Sequence, residues 1–280
     1  MITEDLQKKI DCAIRLLQGI QNGYDGEIEV AYSGGKDSDV ILQLAKEAGI
    51  RFRAIYRNTT IDPPGTIVHV GRMGAEILRP KETFFQLVAE KGFPNRFSRF
   101  CCEKLKEYKV MDKCIMGVRK SESSKRNERY NEPTECRFYG RKTEANHVEA
   151  IYPILDWTDN DVLAFVEDRH LTLAPVYYTS RGQIDVSKRL GCMCCPSPQN
   201  ASASSTSRRS LAWLAAICVP DNVSGTVIPT QRFANATTTC TNGLRVTCSI
   251  LVKKIGRRLT SRCSAKRTGR NFSKGSLALT

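Results

Sequence analysis

The stretch that most constrains the fold is residues 27–45, where the apolar run Ile28-Glu-Val-Ala-Tyr32 meets Ser33-Gly34-Gly35-Lys36-Asp37-Ser38. Val40, Ile41, Leu44 and Ala45 follow at helical spacing. This order predicts a strand over 27–32, a tight turn, and a helix from about Asp37. Two adjacent glycines let the backbone approach a ligand without a Cβ in the way, and the helix start offers free N–H groups and its positive dipole end. Ser33, Ser38 and Lys36 add hydroxyl donors and a cation, so the turn suits an anion. The spacing matches neither the GxxxxGK[ST] phosphate loop nor GxGxxG. The plainer alternative is a Gly-Gly turn whose polar residues cap the next helix.

The neighbouring segments alternate in the same way. Leu6, Ile10, Ala13, Ile14, Leu17 and Ile20 predict a first helix within residues 1–25, with Thr3 as N-cap and Asn22-Gly23 as its stop. Further strands are expected over 52–56, 76–78, 113–118 and 150–154, with a helix over 84–90. Strands separated by helices imply an α/β fold with a doubly wound, mainly parallel five-stranded sheet. Ligands bind such sheets outside the carboxyl ends of the strands, where the Ser33–Ser38 turn lies.

At 280 residues, 41% of them apolar, the chain can build one α/β domain with extensions. It has no apolar run of about 18 residues to span a membrane. Its N-terminus lacks the order of a secretory signal, so the cytoplasm is the expected location. The basic balance is uneven. Residues 199–280 hold 13 Lys and Arg against the single acid Asp221, which puts +12 of the net +14 there. Of those 82 residues, 22 are Ser or Thr, and no sustained period runs through them. Residues 1–198 are therefore expected to form the folded domain. The irregular basic tail is open to three interpretations: a nucleic-acid-binding arm, a disordered extension, or sequence downstream of a lost reading frame.

Twelve cysteines in such a compartment point to metal or redox chemistry where they cluster. Cys101 and Cys102 are adjacent, and Gly191-Cys192-Met-Cys194-Cys195-Pro196 places Cys192 and Cys195 in CxxC spacing. Thiolates gathered from two places suit zinc or an iron–sulfur cluster. Cys194 is a spare thiol or a substitute ligand, while Cys12, Cys114 and Cys136 are isolated packing residues.

SGGKDS directly after a first strand resembles the signature of the PP-loop superfamily, which groups ATP pyrophosphatases with sulfonucleotide reductases. Three further segments narrow the resemblance to the phosphoadenosine phosphosulfate (PAPS) reductase family. They are Asn58-Thr59-Thr-Ile-Asp62-Pro-Pro-Gly-Thr66, Met116-Gly-Val-Arg119-Lys-Ser-Glu-Ser123, and Pro153-Ile-Leu-Asp-Trp157-Thr-Asp-Asn-Asp161-Val. The resemblance implies that Ser33, Gly34, Gly35, Lys36, Asp37 and Ser38 grip a pyrophosphate or phosphosulfate. It also implies that Asn58, Thr59 and Asp62 line the nucleotide pocket and that Arg119 faces the anionic nucleotide. Trp157 also reads as a core residue, and Thr158 with Asp161 as a helix cap. The CC…CxxC pattern resembles the [4Fe–4S] site of reductases acting on adenosine phosphosulfate (APS), with Cys101, Cys102, Cys192 and Cys195 as ligands and zinc as the alternative.

One departure limits the resemblance. In those reductases a cysteine of a C-terminal ECG[LI]H segment attacks sulfur, forms S-sulfocysteine and is resolved by thioredoxin. No such segment occurs here, and Cys218, Cys240, Cys248 and Cys263 lack its acidic and histidine neighbours. No catalytic residue is therefore assigned. The expected function is reduction of a sulfonucleotide to sulfite, with a thioredoxin-like reductant as partner. The alternatives are a PP-loop sulfurtransferase that uses ATP on a nucleic acid, or a nucleotide-binding protein without turnover.

Overall fold

The computed structural model describes residues 2–95, 97–193 and 195. Cys194, the expected boundary near 198, the basic tail and its four cysteines lie outside the described residues. Two compact units are distinguished: Met1–Phe84 with Pro94–Ala201, and Phe85–Phe93 with Ser202–Thr280. The described part of the second carries most of helix α4 (Phe84–Lys91).

The first unit runs α1 (Glu4–Asn22), β1 (Ile28–Tyr32), α2 (Lys36–Glu47), β2 (Phe52–Arg57), α3 (Thr66–Arg72) and β3 (Glu76–Leu78). After residue 94 come α5 (Phe100–Leu105), β4 (Lys113–Ile115), α6 (Ser124–Arg129), β5 (Thr134–Phe138), β6 (His147–Ile151) and α7 (Asp159–Asp168). The strands form one sheet in the order β3-β2-β1-β4-β6-β5, parallel throughout except for β5 against β6. The sheet thus has six strands where the sequence suggests five. β5 reads Thr-Glu-Cys-Arg-Phe, with two charges in five residues, and its burial is partial because it is an antiparallel edge.

The termini of α1 follow the local chemistry. Thr3 caps it by accepting the Leu6 N–H, and it ends at Gly23. Leu6, Ile10, Ala13 and Leu17 join Val40, Ile41, Leu44, Val162 and Phe165 in a core against Ile28, Val30 and Tyr32 of β1. Because successive strand residues point to opposite faces, Glu29 falls on the other side, where it pairs with Arg57 at 2.5 Å. Trp157 is 2% exposed and packs edge-on to Phe165. No helix among the described residues is long and apolar enough to cross a membrane.

The start of α7 is capped reciprocally by Thr158 and Asp161, and Lys9 of α1 reaches Asp161 at 3.0 Å. Burial alone would raise the Asp161 carboxyl, but the Thr158 backbone N–H and Lys9 hold it below its ordinary value. A depressed carboxyl contributes stability above its unfolded pKa and loses it as pH falls through the folded one. Asp161→Ala is therefore expected to cost about 1 kcal/mol at neutral pH, as caps do. That cost should fade below the ordinary carboxylate pKa of about 3.9. Urea unfolding of both proteins at pH 7 and near pH 3 checks it.

Candidate nucleotide and thiol site

The strand order reverses direction at β1, whose neighbours are β2 and β4, so a crevice opens at the carboxyl ends of β1 and β4. The 33–38 loop leaves β1 there, and residues 116–123 leave β4 beside it. Gly34 takes φ +74°, a conformation glycine adopts without strain, and a Cβ added there would lie 3.2–3.4 Å from the side chains of Thr66, Val70 and Leu190. Gly35 is the N-cap of α2, and Lys36 begins the helix. The Gly35 N–H donates to Ser33 Oγ at 3.4 Å, and Ser38 Oγ donates to the Gly35 carbonyl at 2.7 Å.

The loop is less uniformly cationic than its composition suggests. Lys36 is 2% exposed, and its Nζ lies 3.2 Å from Asp37 Oδ2. Arg119 is 1% exposed, and each guanidinium nitrogen has a partner. Nε donates to Asp37 Oδ1 at 2.7 Å and Nη2 to Asp159 Oδ1 at 2.7 Å. Nη1 donates to Ser121 Oγ at 2.9 Å and to the Trp157 carbonyl at 3.4 Å. Asp37 thus stands between two buried cations, and Arg119 bears on the loop through it. Glu122, itself nearly buried, pairs with Arg126 and, at 2.9 Å, with Arg189.

Beneath the loop lies a polar group that composition does not announce. Tyr32, at the end of β1, donates to Asp39 Oδ1, and His69 Nε2 of α3 lies 3.0 Å from the same oxygen and 3.0 Å from the tyrosine hydroxyl. All three are buried. Burial pushes the Asp39 carboxyl up, and the His69 hydrogen bond opposes that shift. The cluster fastens α3, which follows the 58–65 loop, to the start of α2. A carboxylate among the apolar positions of α2 was its sequence signal.

The 58–62 loop is shaped by its own side chains. Asp62 Oδ2 accepts the Thr59 N–H at 3.0 Å, and Asn58 Oδ1 accepts the Thr60 N–H at 2.7 Å. Thr59 and Ile61 then face a cavity of about 20 Å³ that is also lined by Cys101, Cys102, Lys106, Cys192 and Cys195. The two cysteine pairs predicted to meet do meet around this space. Cys192 Sγ donates to Thr59 Oγ1 at 3.7 Å. A hydrogen bond with Cys102 brings the Cys101 thiol down to about 7 and pushes Cys102 up. Lys106 is a further site residue, one turn beyond Cys102. Burial works to lower its ammonium, but Cys192 and Asp62 beside it keep it above its ordinary value.

Four thiols on one cavity are the donor chemistry of a thiophilic centre. The space is about that of a single water, so the four thiols would have to move to take up a metal ion or a cluster. No group of three or more His, Cys, Asp or Glu among the described residues is spaced to hold a metal ion.

A parallel α/β sheet with an SGGKDS loop at its switch point defines a nucleotide-binding domain of the PP-loop type. The profile of the phosphoadenosine phosphosulfate reductase domain matches residues 27–198, and the chain belongs to that family. An uncharacterized protein of Methanocaldococcus jannaschii is 27% identical over 210 residues, covering 71% of this chain and 48% of that protein. The chain thus spans about half the length of this curated relative. Among solved structures, the phosphoadenylyl-sulfate reductase of Candida auris, in a phosphate complex, is 15% identical with a TM-score of 0.45, covering 64% of this chain and 95% of that one. The U34-tRNA thiolase of Methanococcus maripaludis, with its [4Fe–4S] cluster, is 17% identical with a TM-score of 0.39, covering 86% of this chain and 82% of that one.

Proposed function

We propose that the protein binds an adenosine phosphosulfate and reduces it to sulfite. Ser33 to Ser38 hold the phosphosulfate, Asn58, Thr59 and Asp62 flank the nucleoside, and Arg119, expected to face the anion, instead supports the loop through Asp37. One observation carries this reading: the loop that would flank the nucleoside also lines the thiol cavity, through Thr59 and Ile61. An anion held at the carboxyl end of β1 would therefore have thiols within reach of its sulfur end. Lys106, beside Cys192 and Asp62, fits a second cation for the sulfate oxygens.

The overall chemistry balances with a dithiol. The nucleotide phosphosulfate and two thiols give sulfite, the nucleotide and one disulfide, the electrons coming from a thioredoxin-class reductant. Cys101, Cys102, Cys192 and Cys195 would hold a [4Fe–4S] cluster, or a zinc ion in the alternative, only after spreading from the water-sized space they now line. When bound, such a group supplies electron-carrying or Lewis-acid chemistry at the thiols.

The test uses full-length, anaerobically purified protein with APS, PAPS and ATP, in the presence of thioredoxin and its reductase. Sulfite from APS or PAPS is the expected product. Pyrophosphate released from ATP without sulfite would move the assignment to a sulfurtransferase, and tight binding without either product to a nucleotide-binding protein.

A further inference from the structure

Tyr177 lies in a short 3-10 turn, Pro175–Tyr177, and is 2% exposed. Its phenol oxygen accepts the Leu190 N–H at 3.2 Å, and a Cβ added at Gly35 would stand 3.2 Å from the same oxygen. Burial pushes this phenol up to about 12, so it stays protonated, with an oxygen lone pair open to the Leu190 N–H. Lys36 Nζ stands 5.8 Å from the ring centroid. The phenol thus lies between the start of α2 and a segment two residues before Cys192.

The segment is held at its other end too. The Met193 N–H donates to the Ile61 carbonyl at 2.9 Å, and Cys192 Sγ reaches Thr59. Leu190 also presses on the glycines: Cβ atoms added at Gly34 and Gly35 would lie 3.4 Å and 3.9 Å from its side chain. Residues 190–193 therefore run from the anion loop to the 58–62 loop, with Cys192 between the two attachments. A buried phenol oxygen has no water to replace a lost partner, so a shift of the Gly35–Lys36 turn against it must either break the Leu190 bond or move Leu190.

We propose that Tyr177 is a positioning residue that transmits the conformation of the anion loop to the Cys192 thiol. The idea rests on the reading of loop and thiols as one site, and it adds that anion binding and thiol placement are mechanically coupled. Anion binding at Gly35–Lys36 would then set where Cys192 stands, through the Tyr177 hydroxyl.

The test is a double-mutant cycle on the full chain as isolated. The readout is the rate at which iodoacetamide modifies Cys192, followed peptide by peptide and referred to the exposed Cys12. Gly35→Ala puts a methyl 3.2 Å from the Tyr177 hydroxyl and 3.3 Å from Ser33 Oγ, which perturbs the loop at the link. It is expected to change the Cys192 rate at least about fivefold with Tyr177 present, and less than about twofold in Tyr177→Phe, which keeps the ring and loses the hydroxyl. Lys36→Met, which removes the cation from the ring without adding bulk, is the second loop perturbation, is read the same way and serves if Gly35→Ala does not fold. Coupling is overturned if the loop and Tyr177 effects simply multiply, or if neither loop change alters Cys192. A purely structural role for Tyr177 gives multiplicative effects. Failure of the functional proposal appears elsewhere, as absent sulfite, which these rates do not measure.

Discussion

Arg119→Ala is expected to destabilise the fold by about 2–3 kcal/mol, the cost of losing a buried side chain and its charge-assisted hydrogen bonds. The guanidinium is 1% exposed and joins two other segments: the anion loop through Asp37, and the start of α7 through Asp159 and the Trp157 carbonyl. The two carboxylates do not lose equally. The Asp159 side chain is 55% exposed and can return to water, whereas that of Asp37 is 17% exposed and is left with Lys36. Most of the cost therefore falls on the loop, and binding of APS should fall with stability. Arg119→Lys keeps one charge but cannot span both carboxylates with a planar fork, so an intermediate loss is expected. Urea unfolding of the three proteins checks this. A loss below about 1 kcal/mol would place Arg119 with ordinary surface pairs and remove its role as a tether.

Gly117→Ala is the second large effect. A Cβ at Gly117 would stand 2.9 Å from the Asp37 carbonyl oxygen and 3.0 Å from its carbon. These are backbone atoms in the first turn of α2, so no side-chain rotation relieves the clash. Either the segment after β4 or the anion loop must shift, and overpacking of this kind costs about 1–3 kcal/mol. The two segments form the walls of the crevice, so the same shift should weaken APS affinity at least about tenfold, the 1.4 kcal/mol equivalent. Isothermal titration with APS, beside a thermal unfolding curve, separates the two losses. Gly19, where an added Cβ meets nothing within 4 Å, is the matched control. If Gly117→Ala binds APS as the parent does, the close approach of the two walls is not needed for the site.

Much of this architecture could be anticipated because it rests on local chemistry. Thr3 and Thr158 are caps by residue type and position, and both cap as expected. β3 spans Glu76–Leu78 as its three residues suggested. β5 escaped notice because an edge strand buries too little to impose an apolar alternation, and its pairing with β6 comes from register rather than propensity. Gly117 is invisible in the same way: nothing in Met-Gly-Val-Arg tells which backbone will lie against it.

The site divides along the same line. The Ser-Gly-Gly-Lys-Asp-Ser turn, its anion-binding character and the two cysteine pairs are sequence properties, since each depends on residues adjacent in the chain. Composition alone, however, made the turn a set of donors. Tertiary structure decided that Asp37 lies between Lys36 and Arg119, that Lys106 sits beside Cys192, and that Tyr177, close against Gly35, holds Leu190. Those are contacts between segments far apart in sequence. Their energies depend on distance and burial, which exist only once the sheet has brought the ends of β1, β2 and β4 together.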